Sequence, residues 1–371
     1  MNLDLLDQIP DSDRYPNLTE ITNHARGLVG IHGFRVQTIG RSRLGREIDL
    51  ISFGSGEKPT VLLWGFEDPH EPICSLSLMW LCAQLADAHS PIHELGYDWA
   101  MIPCLNPDGV ARNEHWFQYP GDLRAFLNWS WEDDLAFWGA PEYPEELALE
   151  KAIVRTKPEL LFAMHDESHY PGHGYWALVS EESVLDGLGE HFEYESRIGV
   201  TPILAPVKPQ VMKDNWYFGR AHGLNDRCLS MICESRGYRQ LMPPRETDES
   251  VREQFRAALA EYEFLINELR PSCEEEHALI RCAKSCRERM RQERMFAICV
   301  GSCGLRVLKE RGNERKAESI ENVFWYYLSA RLEGTYAPIP IRDQVRIQLH
   351  FLFSVIREVE RRARSISTKP H

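Results

Sequence analysis

The spacing of apolar residues changes period several times along this chain, and each change marks an expected element. Residues 17–31 (NLTEITNHARGLVGI) carry apolar positions at helical spacing behind an Asn, which predicts a first helix with an Asn cap. Residues 33–39 (GFRVQTI) and 47–53 (EIDLISF) alternate with period two, and SRLGR between them supplies a turn, so two strands are expected. In VLLWGFEDPHEP (61–72) a short continuous apolar run ends at Gly65 and gives way to an acidic loop. The apolar stretch ICSLSLMWLCAQLADA that follows has helical length, so the segment reads as buried strand, loop and helix. Residues 97–105 (YDWAMIPCL) read as another apolar strand, closed by the turn residues Asn-Pro-Asp-Gly at 106–109. A helix over 146–156, a strand over 158–164 running into His165, a strand over 227–234 ending at Glu234, and a long helix over 250–270 continue the alternation. The implied fold class is α/β, with a mixed, largely parallel central sheet covered by helices on both faces.

Two irregular stretches interrupt that alternation. Residues 110–145 hold Trp116, Trp129, Trp131 and Trp138, and the aromatic content of so long a loop favours a functional role as pocket wall or lid. A second irregular stretch surrounds 198–220. From Arg270 the texture changes: residues 271–371 carry helical patterns rich in Arg and Glu with few strand signals, joined by GNERKAE and the Pro-rich EGTYAPIPIR. The expected organisation is an N-terminal helical segment over 1–29, an α/β domain over 30–270 and a C-terminal helical extension over 271–371.

Composition narrows the class of function. The chain has 371 residues, 43% hydrophobic and 26% charged, enough to bury a substantial core. A formal net charge of −14 argues against nucleic acid or an anionic membrane as partner. No run of about 18 apolar residues is present, and the acidic start MNLDLLDQIPDSDRYP lacks the basic-then-apolar pattern of a leader. A cytoplasmic protein whose ten cysteines are reduced thiols is the expectation. Cys282/Cys286 and Cys299/Cys303 have the spacing of twin-cysteine helical hairpins, but RERMRQERMFAI between them has no Gly or Pro to turn the chain, so buried thiols are expected there.

Candidate chemistry sits at the ends of strands, where open α/β sheets bind ligands. Asp68 and Glu71, three residues apart after the strand at 61–64, can reach one cation; the same pair also serves as negative charge at a helix N-terminus. Taken with Asn106-Pro107-Asp108-Gly109, His165 and Glu234, these residues resemble the zinc carboxypeptidase family, in the broad sense that includes carboxypeptidase A and bacterial relatives. Gly65-Phe66-Glu67-Asp68-Pro69-His70-Glu71 matches the family's Gly-x-x-His-x-x-Glu in register, with Asp68 in the place of the His. The Asn-Pro-Asp-Gly turn is intact, LLFAMHDES places His165 where a third metal ligand ends a strand, and MICES places Glu234 as the general base. SRLGREIDLISFG (42–54) is similar to the entry strands of that fold. The resemblance covers about residues 30–270. It implies a peptide- or amide-cleaving hydrolase with one Zn²⁺ per chain on Asp68, Glu71 and His165.

The departures from the family pattern carry information too. Two neutral His and one Glu leave a Zn²⁺ site with net charge +1, whereas Asp68, Glu71 and His165 leave it neutral, which weakens carbonyl polarisation and makes bound water less acidic. Oxygen ligands also favour harder ions such as Mn²⁺, so zinc with altered tuning, another divalent metal and a catalytically silent site all stay open. His70 is the alternative to Asp68, but adjacent His70 and Glu71 diverge on either a helix or a strand. For substrate anchoring the family pattern maps onto Asn128, with Trp129 in its Arg position and Arg124 nearby as a substitute or a solvated side chain. Arg112 matches the family's oxyanion-stabilising Arg. Tyr217 is the nearest candidate for the substrate-side Tyr, or packs. Asp166 and Glu167 are expected to orient His165, and His169 and His173 to lie in a loop. Three functions remain: a metallocarboxypeptidase-like hydrolase of peptides; an amidohydrolase of the aspartoacylase type acting on acylated amino acids; and a non-catalytic relative that binds through its cleft, with protein contacts made by the helical tail.

Overall fold

A computed structural model describes residues 3–122, 143–166, 174–186, 201–206, 228–235, 237–243, 245–292 and 303–367, with the single residues 125 and 188. Among them an eight-stranded sheet forms from β1 (Phe34–Arg41), β2 (Glu47–Phe53), β3 (Thr60–Gly65), β4 (Asp98–Ile102), β5 (Leu160–Asp166), β6 (Gly174–Val179), β7 (Thr201–Pro206) and β8 (Leu229–Ser235). The order is β1-β2-β4-β3-β5-β8-β6-β7. The central run β4-β3-β5-β8 is parallel, while β1/β2, β2/β4 and β6/β8 are antiparallel, so the sheet is mixed with a parallel centre.

The apolar runs in the sequence have a direct physical reason. In β3, Val61 and Leu63 enter the hydrophobic cluster on one face, while Leu62 and Trp64 enter the cluster on the other. Phe162 and Met164 of β5 join the first, and Leu161 and Ala163 the second. Strands buried on both faces read as continuous rather than alternating apolar segments.

Helices cover both faces. α1 (Leu18–Gly27) opens with a capping box: the Glu20 N–H donates to Asn17 Oδ1 and the Asn17 N–H donates to Glu20 Oε2, each at 2.9 Å. α2 (Ile73–Ala86) is apolar nearly all round, which suits a helix enclosed in the core. The short α3 (Pro107–Asn113) follows β4, and α4 (Pro144–Thr156) places Ala148, Leu149, Ala152 and Ile153 against Ile39, Ile48 and Leu62. α5 (Glu182–Asp186) follows β6, and α6 (Glu249–Glu268), α7 (Glu274–Arg291), α8 (Glu314–Leu332) and α9 (Ile341–Ser367) complete the chain.

The C-terminal region is helical, as expected, and it also holds features the sequence pattern hid. Most of α9 is buried, Phe351 lies 5.8 Å from the Phe162 ring of β5, and the helix shares one hydrophobic cluster with β3, β5, Leu5 and Tyr15. The last hundred residues and the first thirty therefore share a core with the sheet. Residues 336–338, inside the segment expected to be a linker, form strand β10, paired antiparallel with β9 (Tyr238–Gln240). A three-residue strand is too short to show a period, so pairing alone reveals it. The other expected linker is largely helical; the break is confined to Arg311 and Gly312, where Gly312 has φ +81. Trp116 is buried against Tyr15 and Phe117, a core residue rather than a pocket wall, while Trp129, Trp131 and Trp138 lie outside the described residues. Cys303 is a buried cysteine outside any disulfide; the side chains of Cys282, Cys286 and Cys299 are outside the described residues. Among the described residues no helix is long and apolar enough to cross a membrane.

Candidate metal centre

The loop after β3 is held in place by its own backbone. A Cβ on Gly65 would overlap the Cys74 side chain, so only Gly lets α2 approach the strand end this closely. Phe66, fully buried, takes φ +54, a left-handed conformation that costs a non-glycine residue roughly 1–2 kcal/mol. Its carbonyl accepts from the Asn106 N–H and the Gly65 carbonyl from the Leu105 N–H, both at 3.0 Å, which ties the loop to the end of β4. The Glu71 N–H closes a turn onto the Asp68 carbonyl at 3.1 Å. The Cys74 thiol, pushed up well above its ordinary pKa by burial, donates to the Glu71 carbonyl at 3.3 Å.

Because β3 and β5 are parallel neighbours with Gly65 in register with Met164, this loop falls beside His165. His165 Nδ1 lies 3.1 Å from Asp68 Oδ2 and 2.9 Å from Glu71 Oε2. The same Glu71 oxygen accepts from the Asp166 N–H at 3.0 Å, so the end of β5 fixes both the imidazole and a carboxylate. His165 and Glu71 are buried, whereas the Asp68 side chain keeps 20% of its surface, which leaves one side of the cluster open. On its far side His165 Nε2 stands 3.6 Å from Glu67 Oε2, which itself accepts from Trp64 Nε1 at 2.8 Å. A carboxylate at the second imidazole nitrogen is the usual companion of a metal-binding His. Glu67 stands outside the sequence pattern, which points to Asp166 and Glu167 for that role. Asp166 donates its backbone N–H to Glu71, and Glu167 is outside the described residues. His70, the alternative ligand, is buried with Nε2 3.7 Å from the other Glu71 oxygen.

The remaining expected site residues divide sharply. Glu234 is the residue of β8 in register with His165, so the backbone brings the two strand ends side by side. Arg112 is exposed in the last turn of α3. Arg124, Asn128 and Tyr217, together with His169 and His173, lie outside the described residues. Within the Asn-Pro-Asp-Gly turn, Asn106 caps α3 by accepting from the Gly109 N–H at 3.0 Å. Asp108 accepts from Ser42 Oγ at 2.9 Å, the Leu44 N–H at 2.8 Å and Arg46 Nη1 at 2.6 Å. It thereby clamps the β1–β2 turn.

The donor set of Asp68, Glu71 and His165 suits a divalent cation. Two donors bonded to one ion at about 2.0–2.2 Å stand no more than about 4.4 Å apart. Nδ1 is within 3.1 Å of each carboxylate, inside that span, and the bound on all three donor atoms together is 4.8 Å, so the two carboxylates draw in by at most about 0.4 Å around an ion. Two carboxylates and an imidazole converging at the ends of adjacent parallel strands define the class: a candidate metalloprotein with an α/β sheet.

Comparison with known proteins sharpens this. Residues 32–123 match the family model described as zinc carboxypeptidase, a region that takes in the Asp68–Glu71 loop and the Asn-Pro-Asp-Gly turn and stops before His165 and Glu234. The resemblance read from the sequence is borne out over those residues. No curated protein matches the chain. Among solved structures, a metallo-carboxypeptidase from Burkholderia cenocepacia is similar at 19% identity and a TM-score of 0.42, over 58% of this chain and 59% of that one. The carboxypeptidase A from Helicoverpa armigera is similar at 17% identity and a TM-score of 0.44, over 64% of this chain and 72% of that one. A metallo-carboxypeptidase from Pseudomonas aeruginosa, in complex with (2-guanidinoethylmercapto)succinic acid, is similar at 18% identity and a TM-score of 0.40, over 58% of this chain and 59% of that one.

Proposed function

We propose that this protein is a metal-dependent hydrolase of peptide or amide bonds, of the metallocarboxypeptidase type, with one Zn²⁺ or a harder divalent ion held by Asp68, Glu71 and His165. The observation that carries the reading is the convergence of those donors within 4.8 Å on two neighbouring strand ends, one of them inside the region matched by the zinc carboxypeptidase model. A bound cation supplies a Lewis acid for the scissile carbonyl and lowers the pKa of water. Glu234, on the strand beside His165, takes a proton from the attacking water and returns it to the leaving amine. Arg112 neutralises charge developing on the carbonyl oxygen, and Arg124, Asn128 and Tyr217 contact a peptide or acylated amino-acid substrate.

Substituting Glu234→Gln separates this mechanism from a purely binding role. Turnover on peptide or acyl-amino-acid panels falls by about 10²–10⁴-fold while metal content is unchanged. Full activity in that variant removes the mechanism. A second reading, a cleft that binds without hydrolysis, is favoured by Asp68 standing where a neutral His would leave the cation more positive. Metal retained by wild type with no turnover on either panel would select it.

A further inference from the structure

The buried amide of Gln348 does more than its surroundings require. It lies in the most apolar part of α9, among Ile347, Leu349, Phe351 and Leu352, and is fully buried. A buried amide costs free energy unless every polar atom finds a partner, and an apolar side chain of similar volume would fill the space as well. Both ends of this amide are engaged. Gln348 Nε2 donates to the His165 carbonyl at 2.8 Å, and Gln348 Oε1 accepts from Ser77 Oγ at 2.8 Å. Ser77 is itself fully buried on α2, the helix that begins two residues after Glu71. One amide thus bridges the two elements whose ends carry Glu71 and His165. The His165 carbonyl receives a second side-chain donor, Ser235 Oγ, at 3.3 Å. One helical turn before Gln348, Gln344 fixes the same face of α9 by accepting from the Tyr15 hydroxyl at 3.0 Å and donating to the Ile339 carbonyl at 2.7 Å.

We infer that Gln348 is a positioning residue for the metal centre: it holds the main chain of His165 against α2, so that Nδ1 faces Asp68 and Glu71. The C-terminal helix is then part of the site's framework. This rests on the metal-site reading above. The His165 carbonyl, which only accepts, fixes which end of the amide points to it, and Ser77, whose hydroxyl also lies 3.3 Å from the Ile73 carbonyl, anchors the other end to α2.

The test uses the full-length protein and three variants. Gln348→Met and Gln348→Leu keep the approximate volume and remove both hydrogen bonds without adding an ionisable group, and Ser77→Ala removes only the anchor. Co²⁺ and Zn²⁺ affinities are measured by chelator competition, the Co²⁺ visible spectrum is recorded, and unfolding of the metal-free forms is followed in urea. Both Gln348 variants weaken Co²⁺ and Zn²⁺ binding about tenfold with an altered Co²⁺ spectrum, as loss of a ligand's supporting contact does. Ser77→Ala weakens binding about threefold, the worth of one hydrogen bond. An amide that only supports the fold would move the urea midpoint and leave affinity and spectrum unchanged, and that result overturns the inference. If neither Gln348 variant folds, an unchanged affinity and spectrum in Ser77→Ala overturns it. Wild type that binds neither ion overturns the metal-site reading and this inference together, whereas normal binding by wild type and variants alike overturns the inference alone.

Discussion

The loop after β3 and the turn after β4 lie side by side at the carboxyl end of neighbouring parallel strands, and both present acidic residues in a motif. Their carboxylates do opposite things. Asp108 is spent inside the fold: a hydroxyl, a backbone N–H and a guanidinium from the β1–β2 turn saturate it, at 2.9, 2.8 and 2.6 Å. Asp68 and Glu71 meet an imidazole and one another, with Glu67 close behind, an arrangement rich in acceptors that a divalent cation would satisfy. A buried carboxylate whose neighbours are donors from the chain is a structural clamp. A set of carboxylates gathered round one imidazole at a partly open strand end is a place for a ligand.

The contrast can be broken most decisively at the ligand set. Asp68→Ala and Glu71→Ala are each expected to weaken Zn²⁺ and Mn²⁺ binding by more than about 100-fold, beyond the effect of contacts outside the coordination shell. Elemental analysis and titration of the purified variants check this, and wild-type metal content in both would dissolve the distinction between loop and turn. Next in size is Asp108→Ala, which leaves the Leu44 N–H and Arg46 without their acceptor and lowers stability by about 2 kcal/mol in urea unfolding, with metal affinity preserved. Loss of metal without loss of stability would place Asp108 in the site rather than in the scaffold. The smallest effect is expected at Glu358, a buried carboxylate clamped first by Arg361 and then by Arg362, which hold it down at about 2. Its folded pKa is depressed, so its contribution is present above the ordinary carboxylate value of 4.5 and is lost as pH falls from there towards 2. Arg361 and Arg362 keep 65% and 29% of their surface, so solvent screens the clamp, and Glu358→Gln should destabilise the protein by roughly 1 kcal/mol at pH 7, with wild type and variant converging near pH 2 in acid unfolding. A gap independent of pH would show that the clamp is not electrostatic.

Much of this was legible in the chain itself because it depends on local spacing. The two-sided burial of Val61–Trp64 and Leu160–Met164 produces continuous apolar runs, the Asn17 cap announces α1, and Gly65 marks the end of β3. Asp68 and Glu71 stand out weakly by spacing, because they follow a strand and strand ends are where such sheets place ligands, whereas the roles of His165 and Glu234 come from the resemblance to the zinc carboxypeptidase pattern. Residue type and periodicity are properties of a short segment, and a short segment of sequence carries them whole.

What depended on strand order and helix docking could not be read that way. Asp68 and His165 meet because β3 and β5 are neighbours, although β4 comes between them in sequence. Glu67 reaches the far side of His165 because Phe66 turns through a left-handed conformation. Gln348 reaches the His165 carbonyl across 183 residues because α9 lies against α2 and β5, a contact between two apolar surfaces that look alike in sequence wherever they end up. Hydrophobic burial is non-directional, so the sequence by itself determined which faces must be covered. Only the packing of the folded chain decided what covers them, and with it which polar groups stand within hydrogen-bond reach of the candidate site.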